Sequence, residues 1–341
     1  MATLNTSISN DLLSSTLYSI RDGEVDELFQ KVAFLDNAKK AGGLEQGDGG
    51  TMLVRPLSLV EHSSITALPT GYESVSLAVS DVLRPAEYAW ADFVAPIVIS
   101  KKEELENSSE KAIVKIVEAR MRSVMGMLRR ELNKQILAGT STVMTELNTL
   151  NGDAATTAGA VGFLEGATAG TQTNVVGQIS KDTFKTTTGW QNQYETAGGA
   201  FGTNGLNAMW DIYTACNSRA PMGAIDLVIA SEASFGFYKR ALQANERYID
   251  QKILDGGRMA LAFAGAAVEQ DMEMPVTDHS MYFLNFDGVK LITHKDADFA
   301  VSPFESVVGT TARAAQLYFK GQLIADHLGS QGTLDNAEAY S

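Results

Sequence analysis

The stretch EYAWADFVAPIVISKKEELEN, residues Glu87–Asn107, joins a β-rich run to the start of a long helical pattern. Its first part carries two large aromatic residues, Tyr88 and Trp90, followed by the β-rich run Phe93–Ile99. This composition is typical of a strand. Two lysines and three glutamates then lead directly into the helical pattern. The stretch predicts a strand that continues into one of the longest helices, and it raises the question of what the preceding residues pack against.

The helix that follows is the clearest element of the sequence. Residues 107–110, Asn-Ser-Ser-Glu, match a capping box, in which a polar side chain accepts from a free backbone N–H group and a glutamate reaches back. Gly139 is a typical stop, so the helix is expected over 107–138, a rod of roughly 45 Å. We expect its apolar stripe to be core packing. The stripe consists of Ile113, Ile116, Val117, Met121, Val124, Leu128, Leu132 and Ile136.

The segment before the strand has no evident core of its own. Residues 41–50, AGGLEQGDGG, hold five glycines in ten positions and predict a hinge or linker. Residues 72–79 alternate in the manner of a strand and residues 69–71, Pro-Thr-Gly, predict a turn, so a long two-stranded excursion is expected. An isolated hairpin is marginally stable in water. The pattern alone favours an edge hairpin on its own domain over an arm on a neighbouring subunit.

The first 41 residues carry two short helical patterns separated by polar joints. The first apolar face consists of Ile8, Leu12, Leu13 and Leu17. The second has the spacing of an amphipathic helix and consists of Val25, Leu28, Phe29, Val32 and Leu35.

Beyond the long helix, helices and strands are mixed without the regular alternation of a βαβ fold, so the expected class is α+β. Residues 206–218 return to helical spacing, and Ser231 is expected to cap a helix that ends near Leu242. Strands are expected at residues 226–230, 262–269, 280–286, 289–294 and 314–328.

Composition restricts the class of protein. The chain has 341 residues, of which 45% are hydrophobic and 20% charged, as in a globular protein with two or three compact units. A net charge of −14 argues against general nucleic-acid binding, because phosphate contacts need clustered Lys and Arg. The N-terminus lacks a signal-peptide pattern, and no run approaches the about 18 apolar residues of a membrane span. We therefore expect a soluble protein of the cytoplasm.

No catalytic, cofactor-binding or metal-binding constellation is predicted. The only cysteine, Cys216, lies on the apolar face of its predicted helix, where a thiol is inert. Residues 199–205, GAFGTNG, follow no strand and lack a lysine, so a flexible loop is expected instead of a phosphate cradle. The acidic residues 269–278 lack the spacing of a calcium loop and are expected to form a solvated turn. Four histidines are scattered without paired ligands: His62, His279, His294 and His327.

The order of these features resembles that of the major capsid proteins of tailed bacteriophages, which have the Hong Kong 97 (HK97) type fold. Residues 86–120, AEYAWADFVAPIVISKKEELENSSEKAIVKIVEAR, are similar to the family's passage from the extended loop into the spine helix. Three further phrases resemble the family in the same order: DLVIASEASFGFYKRALQANERYID (226–250), MYFLNFDGVKLITHKDADFAVSPF (281–304) and ARAAQLYFKGQLIADHLGSQGTLDN (312–336). The resemblance covers about Gly50 to Asn336.

The resemblance implies an α+β, HK97-like capsid fold with an N-terminal arm, an extended β-hairpin loop, a peripheral domain with a long spine helix, and an axial domain. In this family the arm and the loop reach over adjacent subunits, so the resemblance favours the arm reading of the hairpin. The implied division is 1–48 for the arm, 49–100 for the extended loop and return strand, 101–199 for the peripheral domain with spine helix 107–138, 200–312 for the axial domain, and 313–341 for a C-terminal strand returning to the peripheral domain.

The implied function is that of a major capsid subunit that self-assembles into hexamers and pentamers of an icosahedral phage head enclosing double-stranded DNA. Implied partners are other copies of the chain and portal, scaffold and cement proteins, with DNA packaged without sequence-specific binding. No enzyme activity, cofactor or membrane is implied, and the implied location is the virion, assembled in the host cytoplasm. An encapsulin-like compartment shell is the alternative, and an α+β enzyme with an unrecognised site is a remote one.

The charges of the loop are candidates for contacts between subunits. They are Arg55, Glu61, Glu73, Asp81, Arg84 and Glu87. The chain also departs from its relatives. No lysine lies between Lys40 and Lys101, so the Lys–Asn isopeptide bond of some relatives is not expected. Residues 325–327, Ala-Asp-His, stand where relatives often have a basic stretch, and the short arm predicts a separate scaffold or none.

Overall fold

A computed structural model of the chain describes residues 32–59, 71, 82–106, 110–137, 143–145, 147, 163–164, 175–184, 189–197, 199–219, 223–243, 251–253, 259–274 and 280–335. The helical patterns before Val32, the hairpin tip, most of the expected capping box at 107–110 and the helix stop at Gly139 lie outside these residues.

The elements are numbered along the chain. The helices are α1 (Ala33–Lys40), α2 (Lys101–Glu106), α3 (Glu110–Leu137), α4 (Lys181–Phe184), α5 (Leu206–Arg219) and α6 (Glu232–Gln243), with a π-helical turn at Phe201–Gly205. The first strands are β1 (Leu44–Gly47), β2 (Met52–Ser58), β3 (Leu83–Ala89), β4 (Ala91–Ser100), β5 (Val175–Val176), β6 (Ile179–Ser180), β7 (Gln193–Thr196) and β8 (Leu227–Ala230). The others are β9 (Gln251–Ile253), β10 (Met259–Phe263), β11 (Ala266–Gln270), β12 (Met281–Leu284), β13 (Val289–His294), β14 (Ala300–Val301), β15 (Glu305–Ser306), β16 (Ala312–Ala325) and β17 (Gly332–Asp335).

The first sheet is organised around β16, the long strand expected near the end of the sequence. One edge of β16 pairs with the whole of β4, from Ala312 opposite Ser100 to Gly321 opposite Ala91. The other edge pairs in turn with β13, β14 and β15, and β1 adds in parallel to β13. The strand of the opening stretch is therefore held by a partner more than 200 residues away in sequence.

The long helix α3 packs on the inner side of β4. Its 28 residues make a rod of about 42 Å, and its apolar stripe is buried as predicted at Val117, Met121, Leu132 and Ile136. The helical region begins earlier than expected, because Ser100 and Glu103 form a reciprocal capping box at the start of α2. The Ser100 N–H donates to Glu103 Oε2 at 3.1 Å and the Glu103 N–H donates to Ser100 Oγ at 3.4 Å.

The second sheet has seven strands in the order β7-β17-β12-β8-β11-β10-β9. One face packs under α5 and α6 through alternate residues such as Val228 and Phe283. The opposite face contributes residues such as Ile229 and Tyr282 to the core that it shares with α3 and the first sheet. Because strand residues alternate between faces, both faces of β8 and β12 are buried.

Several predicted elements are confirmed and one is corrected. The Ser234 N–H donates to Ser231 Oγ at 3.3 Å, so Ser231 caps α6 as expected. The strand expected over 262–269 is instead two antiparallel strands, β10 and β11. The turn between them is made by Ala264 and Gly265, which have φ angles of 49° and 92°. A sequence of small apolar residues gives little warning of such a turn.

The expected glycine hinge at 41–50 is wrong, because β1 lies within it. Gly43 and Gly47 allow neighbouring side chains to pack closely and do not serve as points of flexibility. A Cβ atom on Gly43 would lie 2.9 Å from Cδ1 of Phe286, and one on Gly47 would lie 3.1 Å from Cγ2 of Ile292. Gly43 and Gly47 therefore let the chain around β1 pack closely against β13 and Phe286.

Replacing Gly43 by alanine tests this role. We expect a loss of about 1–3 kcal/mol in the free energy of unfolding, because the added methyl group overpacks the Phe286 ring. The matched control is Gly126→Ala in α3, where no atom lies within 4 Å of the added Cβ. That change should stabilise the protein by roughly 0.5–1 kcal/mol. Urea unfolding of both variants measures the difference, and a neutral or stabilising Gly43→Ala would restore the hinge interpretation.

The flexible loop expected at 199–205 is also wrong. Phe201–Gly205 forms a π-helical turn that leads into α5, with Phe201 buried. A Cβ atom on Gly205 would overlap the Phe201 ring, so the glycine makes room for that ring. Gly205 therefore serves the packing of this turn.

Candidate inter-subunit surface

The only cysteine of the sequence is not available as a nucleophile. Cys216 is fully buried, and burial raises the pKa of its thiol to about 12, which keeps it protonated and unreactive. Within the described ranges, no group of three or more His, Cys, Asp or Glu side chains is placed to hold a metal ion. No helix in the same ranges is long and apolar enough to cross a membrane.

The hairpin β2–β3 has one inner and one outer face. Its register runs from Met52 opposite Ala89 to Ser58 opposite Leu83, and opposed residues share a face. On the inner face, Tyr88 is buried, donates to the Ala325 carbonyl oxygen at 3.1 Å and accepts from the Ala325 N–H at 3.3 Å. This contact ties the root of the hairpin to the end of β16.

The outer hairpin face is largely exposed and mostly apolar. Its apolar residues are Met52, Val54, Pro56, Leu83, Pro85 and Ala89. It also holds two polar residues, Glu87 opposite Val54 and Ser58 opposite Leu83. The exposed fractions of the three larger apolar side chains are 41%, 54% and 60% for Met52, Val54 and Leu83. An exposed, mostly apolar surface of this kind is a candidate interaction site.

A second exposed apolar strip lies on the outer side of the first sheet. This outer sheet face consists of Val94, Pro96 and Val98 on β4, with Tyr318, Gln316 and Ala314 opposite them on β16. Val94 is 50% exposed and Val98 is 45% exposed. The strip and the outer hairpin face are the two apolar surfaces that the fold of a single chain leaves uncovered along the described parts of β2, β3 and β4.

Arg55, a predicted contact residue, pairs within its own chain. Its Nη2 atom contacts Glu45 Oε2, and its Nε atom lies 3.7 Å from Asp326 Oδ1. Lys290 Nζ lies 3.7 Å from Glu45 Oε2 and 3.5 Å from Asp326 Oδ2, which closes a four-residue root network. Each side chain is partly exposed, so each pair contributes at most about 1 kcal/mol. The network fixes the direction in which the hairpin leaves the body.

The other predicted contact residues are placed as follows. Arg84 is exposed on β3. The Glu87 backbone N–H donates to the Gly177 carbonyl oxygen at 3.0 Å and so fastens the hairpin to the β5–β6 turn. Glu61, Glu73 and Asp81 lie outside the described residues.

Trp90 and Phe93 anchor the returning strand to the first sheet. The Trp90 ring packs edge-on against His294 with centroids 5.6 Å apart, and Lys320 Nζ lies 5.8 Å from its centroid. Phe93 packs against Phe319 at 6.2 Å. These contacts join β4 to both β13 and β16.

Two of the acidic residues expected to form a solvated turn, Glu269 and Asp271, are buried instead, which corrects the prediction for them. A turn does follow Asp271, and Asp278 lies outside the described residues. Asn37 Nδ2 of α1 donates to Glu269 Oε1 at 2.8 Å. Asn133 Nδ2 of α3 donates to Asp271 Oδ1 at 2.9 Å and to Oδ2 at 3.1 Å. Glu269 and Asp271 are 3% and 7% exposed. These four residues form a clasp that joins the arm helix and the long helix to the second sheet.

The clasp has a weak signal in the sequence. Glu269 lies within the apolar strand pattern and Asp271 follows it two positions later, so both project from the same face of the strand. The sequence around their partners Asn37 and Asn133 does not distinguish these residues from asparagines at the surface. Sequence reasoning therefore missed the pairing itself.

No family model and no curated protein matches the chain. The cyanophage A-1(L) capsid matches with a TM-score of 0.56 and 15% identity, covering 88% of this chain and 91% of that chain. The capsid of an empty GTA particle matches with a TM-score of 0.55 and 12% identity, covering 88% and 89%. The SrpI encapsulin of Synechococcus elongatus PCC 7942 matches with a TM-score of 0.52 and 9% identity, covering 87% and 86%. The likeness extends over nearly the whole of both chains and concerns the fold.

Proposed function

We propose that this chain, which has the HK97-type fold of tailed-bacteriophage major capsid proteins, is a subunit of an icosahedral phage head. The subunits assemble into hexamers and pentamers that enclose double-stranded DNA. The observation that supports this proposal is the exposed, mostly apolar outer hairpin face. The hairpin is attached at its root by Tyr88 and by the root network. Covering an exposed apolar surface removes it from water and therefore favours association.

Another copy of the chain is the proposed cover for the arm. In a closed shell the same contact recurs at every subunit, so that a modest apolar contact is multiplied by symmetry. The outer sheet face offers a complementary apolar strip on the neighbour. Glu87, which lies opposite Val54 within the outer hairpin face, and Arg84, which lies opposite Leu57 on the other face, are proposed contacts. Glu61, Glu73 and Asp81 are proposed contacts of the tip.

The proposed division of the chain into an N-terminal arm, an extended loop, a peripheral domain and an axial domain has the same bounds as the division implied by the resemblance. The pairing of β16 with β4 supports a C-terminal return to the peripheral part. Strand β17, which follows β16, pairs with β7 and β12 in the second sheet, so the last described strand belongs to that sheet. Portal, scaffold and cement proteins are also proposed as partners, and this proposal rests only on the proposed function.

Electron microscopy of the purified protein tests shell formation. We expect closed particles with five-fold and six-fold rings, because the apolar faces remain uncovered in a free subunit. A protein that stays a compact monomer under all assembly conditions would contradict the proposal.

The SrpI encapsulin has a similar fold, so a compartment shell is the second candidate. The contents of native particles separate the two functions. Particles isolated from the native source and treated with nuclease should retain protected double-stranded DNA in a phage head. Particles that contain enzymes and no protected DNA would assign the chain to a compartment instead.

A further inference from the structure

Three exposed strands have an edge that no other strand in the described part of the chain pairs with. Strands β2 and β3 pair only with each other, and β4 pairs only with β16. Each of the three therefore turns a row of backbone N–H and C=O groups away from its partner strand. We call this row the edge row. It is a template for the addition of a further strand, which is how folded proteins aggregate edge to edge.

The register of the hairpin shows which residues form its two edge rows. The Leu59 N–H donates to the Val82 carbonyl oxygen at 3.2 Å, so this pair is bonded across the hairpin. Bonded and unbonded pairs alternate along an antiparallel ladder, and the unbonded pairs turn their backbone groups outward. Pro56 and Pro85 lie opposite each other in one of these outward pairs.

Two hydrogen bonds confirm the direction of the outward groups. Glu87 and Ala89 also belong to outward pairs. The Glu87 N–H donates to the Gly177 carbonyl oxygen at 3.0 Å, and the Ala89 carbonyl oxygen accepts from Gln322 Nε2 at 2.7 Å. Neither partner belongs to β2, so the backbone of these residues points away from the hairpin, as that of Pro85 does.

Pro96 occupies the equivalent position on β4. The Lys101 N–H donates to the Thr311 carbonyl oxygen at 3.0 Å, so the odd-numbered residues of β4 bond to β16 and the even-numbered residues face the open edge. Val98 confirms this direction, since its carbonyl oxygen accepts from Arg120 Nη1 of α3. Pro96 therefore belongs to the edge row of β4.

Proline interrupts each of the three edge rows. It has no N–H group, and it is tolerated in a sheet only where no strand pairs with that side. At most two outward N–H groups of the same strand lie on either side of Pro56, Pro85 or Pro96. All three prolines are exposed. Each is therefore placed where it blocks an added strand and removes no hydrogen bond within the subunit.

The fourth proline among the described residues lies at another open edge. Strands β14 and β15 pair along β16 in registers that differ by one residue, which leaves a bulge around Pro303. Bulges and prolines are both means by which proteins protect an edge. All four prolines that the structure describes thus fall on open edges of sheets.

We propose that Pro56, Pro85 and Pro96 prevent a strand of a second copy from adding to these edges, so that contacts between copies are left to side chains. The same strands carry exposed apolar residues, which are Val54, Leu83, Val94 and Val98. An exposed apolar strand with a complete edge row is prone to aggregation. The inference concerns the separate subunit, and it holds whatever the assembled protein encloses.

Threonine in place of the three prolines tests this role, since it restores each N–H group and adds no apolar residue. The variant is Pro56→Thr, Pro85→Thr, Pro96→Thr, and it is compared with the unchanged protein as subunits isolated by size exclusion. We expect it to form fibrils about tenfold faster, with a spacing of about 4.8 Å between strands along the fibril axis. Thioflavin T fluorescence, electron microscopy and fibre diffraction measure these outcomes. A triple variant that stays as free of fibrils as the unchanged protein would overturn the proposal.

Two controls separate the restored N–H groups from other effects. The variant Ser58→Thr, Ala89→Thr, Val94→Thr places threonine at other outward positions of the same strands and leaves the number of N–H groups unchanged. Gly43→Ala is expected to be destabilised through its core, and it controls for the stability that is lost when proline is removed. Fibrils from either control at the rate of the triple variant would refute the role of the prolines.

Hydrogen exchange locates the added strands. Peptides that contain β2, β3 and β4 should exchange about tenfold more slowly in the fibrils than in the separate subunit, because their outward N–H groups become paired. Protection confined to other segments would assign the pairing to other edges and overturn the proposal. Fibrils are distinguished from rings and shells by electron microscopy, so failure of this proposal leaves the proposed function untouched.

Discussion

Replacing both Val54 and Leu83 by glutamate should abolish shell formation and leave the subunit folded. The two residues lie on the outer hairpin face and are 54% and 60% exposed in the single chain. Substitutions at exposed positions change the free energy of unfolding by about 0.5 kcal/mol or less. The carboxylate added at position 54 lies opposite Glu87, and this repulsion adds a cost of up to about 1 kcal/mol. In the proposed contact each side chain is buried by a neighbour, which contributes about 1.5–3 kcal/mol. A buried carboxylate without a partner would instead cost several kcal/mol at each subunit.

Sedimentation velocity and electron microscopy measure assembly, and thermal unfolding measures the fold. The matched control is the double variant Asn207→Glu, Thr214→Glu, since it adds the same two charges at exposed positions of α5. The control should assemble like the unchanged protein. Normal shells from the Val54→Glu, Leu83→Glu double variant would show that the hairpin is an edge of its own domain and refute its role as an arm.

Replacing Asp271 by leucine should destabilise the subunit by roughly 3 kcal/mol, because it leaves buried donors unpaired. The Asp271 carboxylate accepts from Asn133 Nδ2 through both oxygens and from the Glu273 N–H at 2.9 Å. Leucine is of similar size, so little of the loss arises from a cavity. The measurement is the urea dependence of unfolding, followed by tryptophan fluorescence.

Two further variants separate the clasp from general effects of the substitution. Asp271→Asn keeps an oxygen that accepts and should lose less than half as much stability. Asp211→Leu removes an exposed aspartate of α5 and should be close to neutral. A neutral Asp271→Leu would mean that the clasp contributes nothing to the attachment of α3.

The parts of the fold that were predicted are those decided by local pattern. The stripe of α3, the strand Val289–His294 and the cap at Ser231 depend on residues within a few positions of one another. The order of such elements, together with the four phrases, is what indicated the capsid fold. Each of these patterns has a periodicity that can be recognised in the sequence whatever its overall composition.

The mistaken expectations concern residues whose environment is set by distant partners. Gly43 packs against Phe286, and Glu269 binds Asn37 across 232 positions of sequence. A glycine-rich run and an acidic run have the same composition whether they are exposed or buried. The candidate contact residues show the same difficulty, since Arg55 meets Asp326 only because β2 passes the end of β16.

The last described strands, β16 and β17, also govern the order of events during synthesis. β16 lies between β4 and β13, and β17 lies between β7 and β12, so each completes a sheet begun by earlier residues. The two sheets cannot both close until the ribosome has passed Asp335. Contacts between residues so far apart in sequence also form slowly. A nascent chain that already carries β2 and β3 therefore lacks a strand of each of the two large sheets until these last residues have emerged.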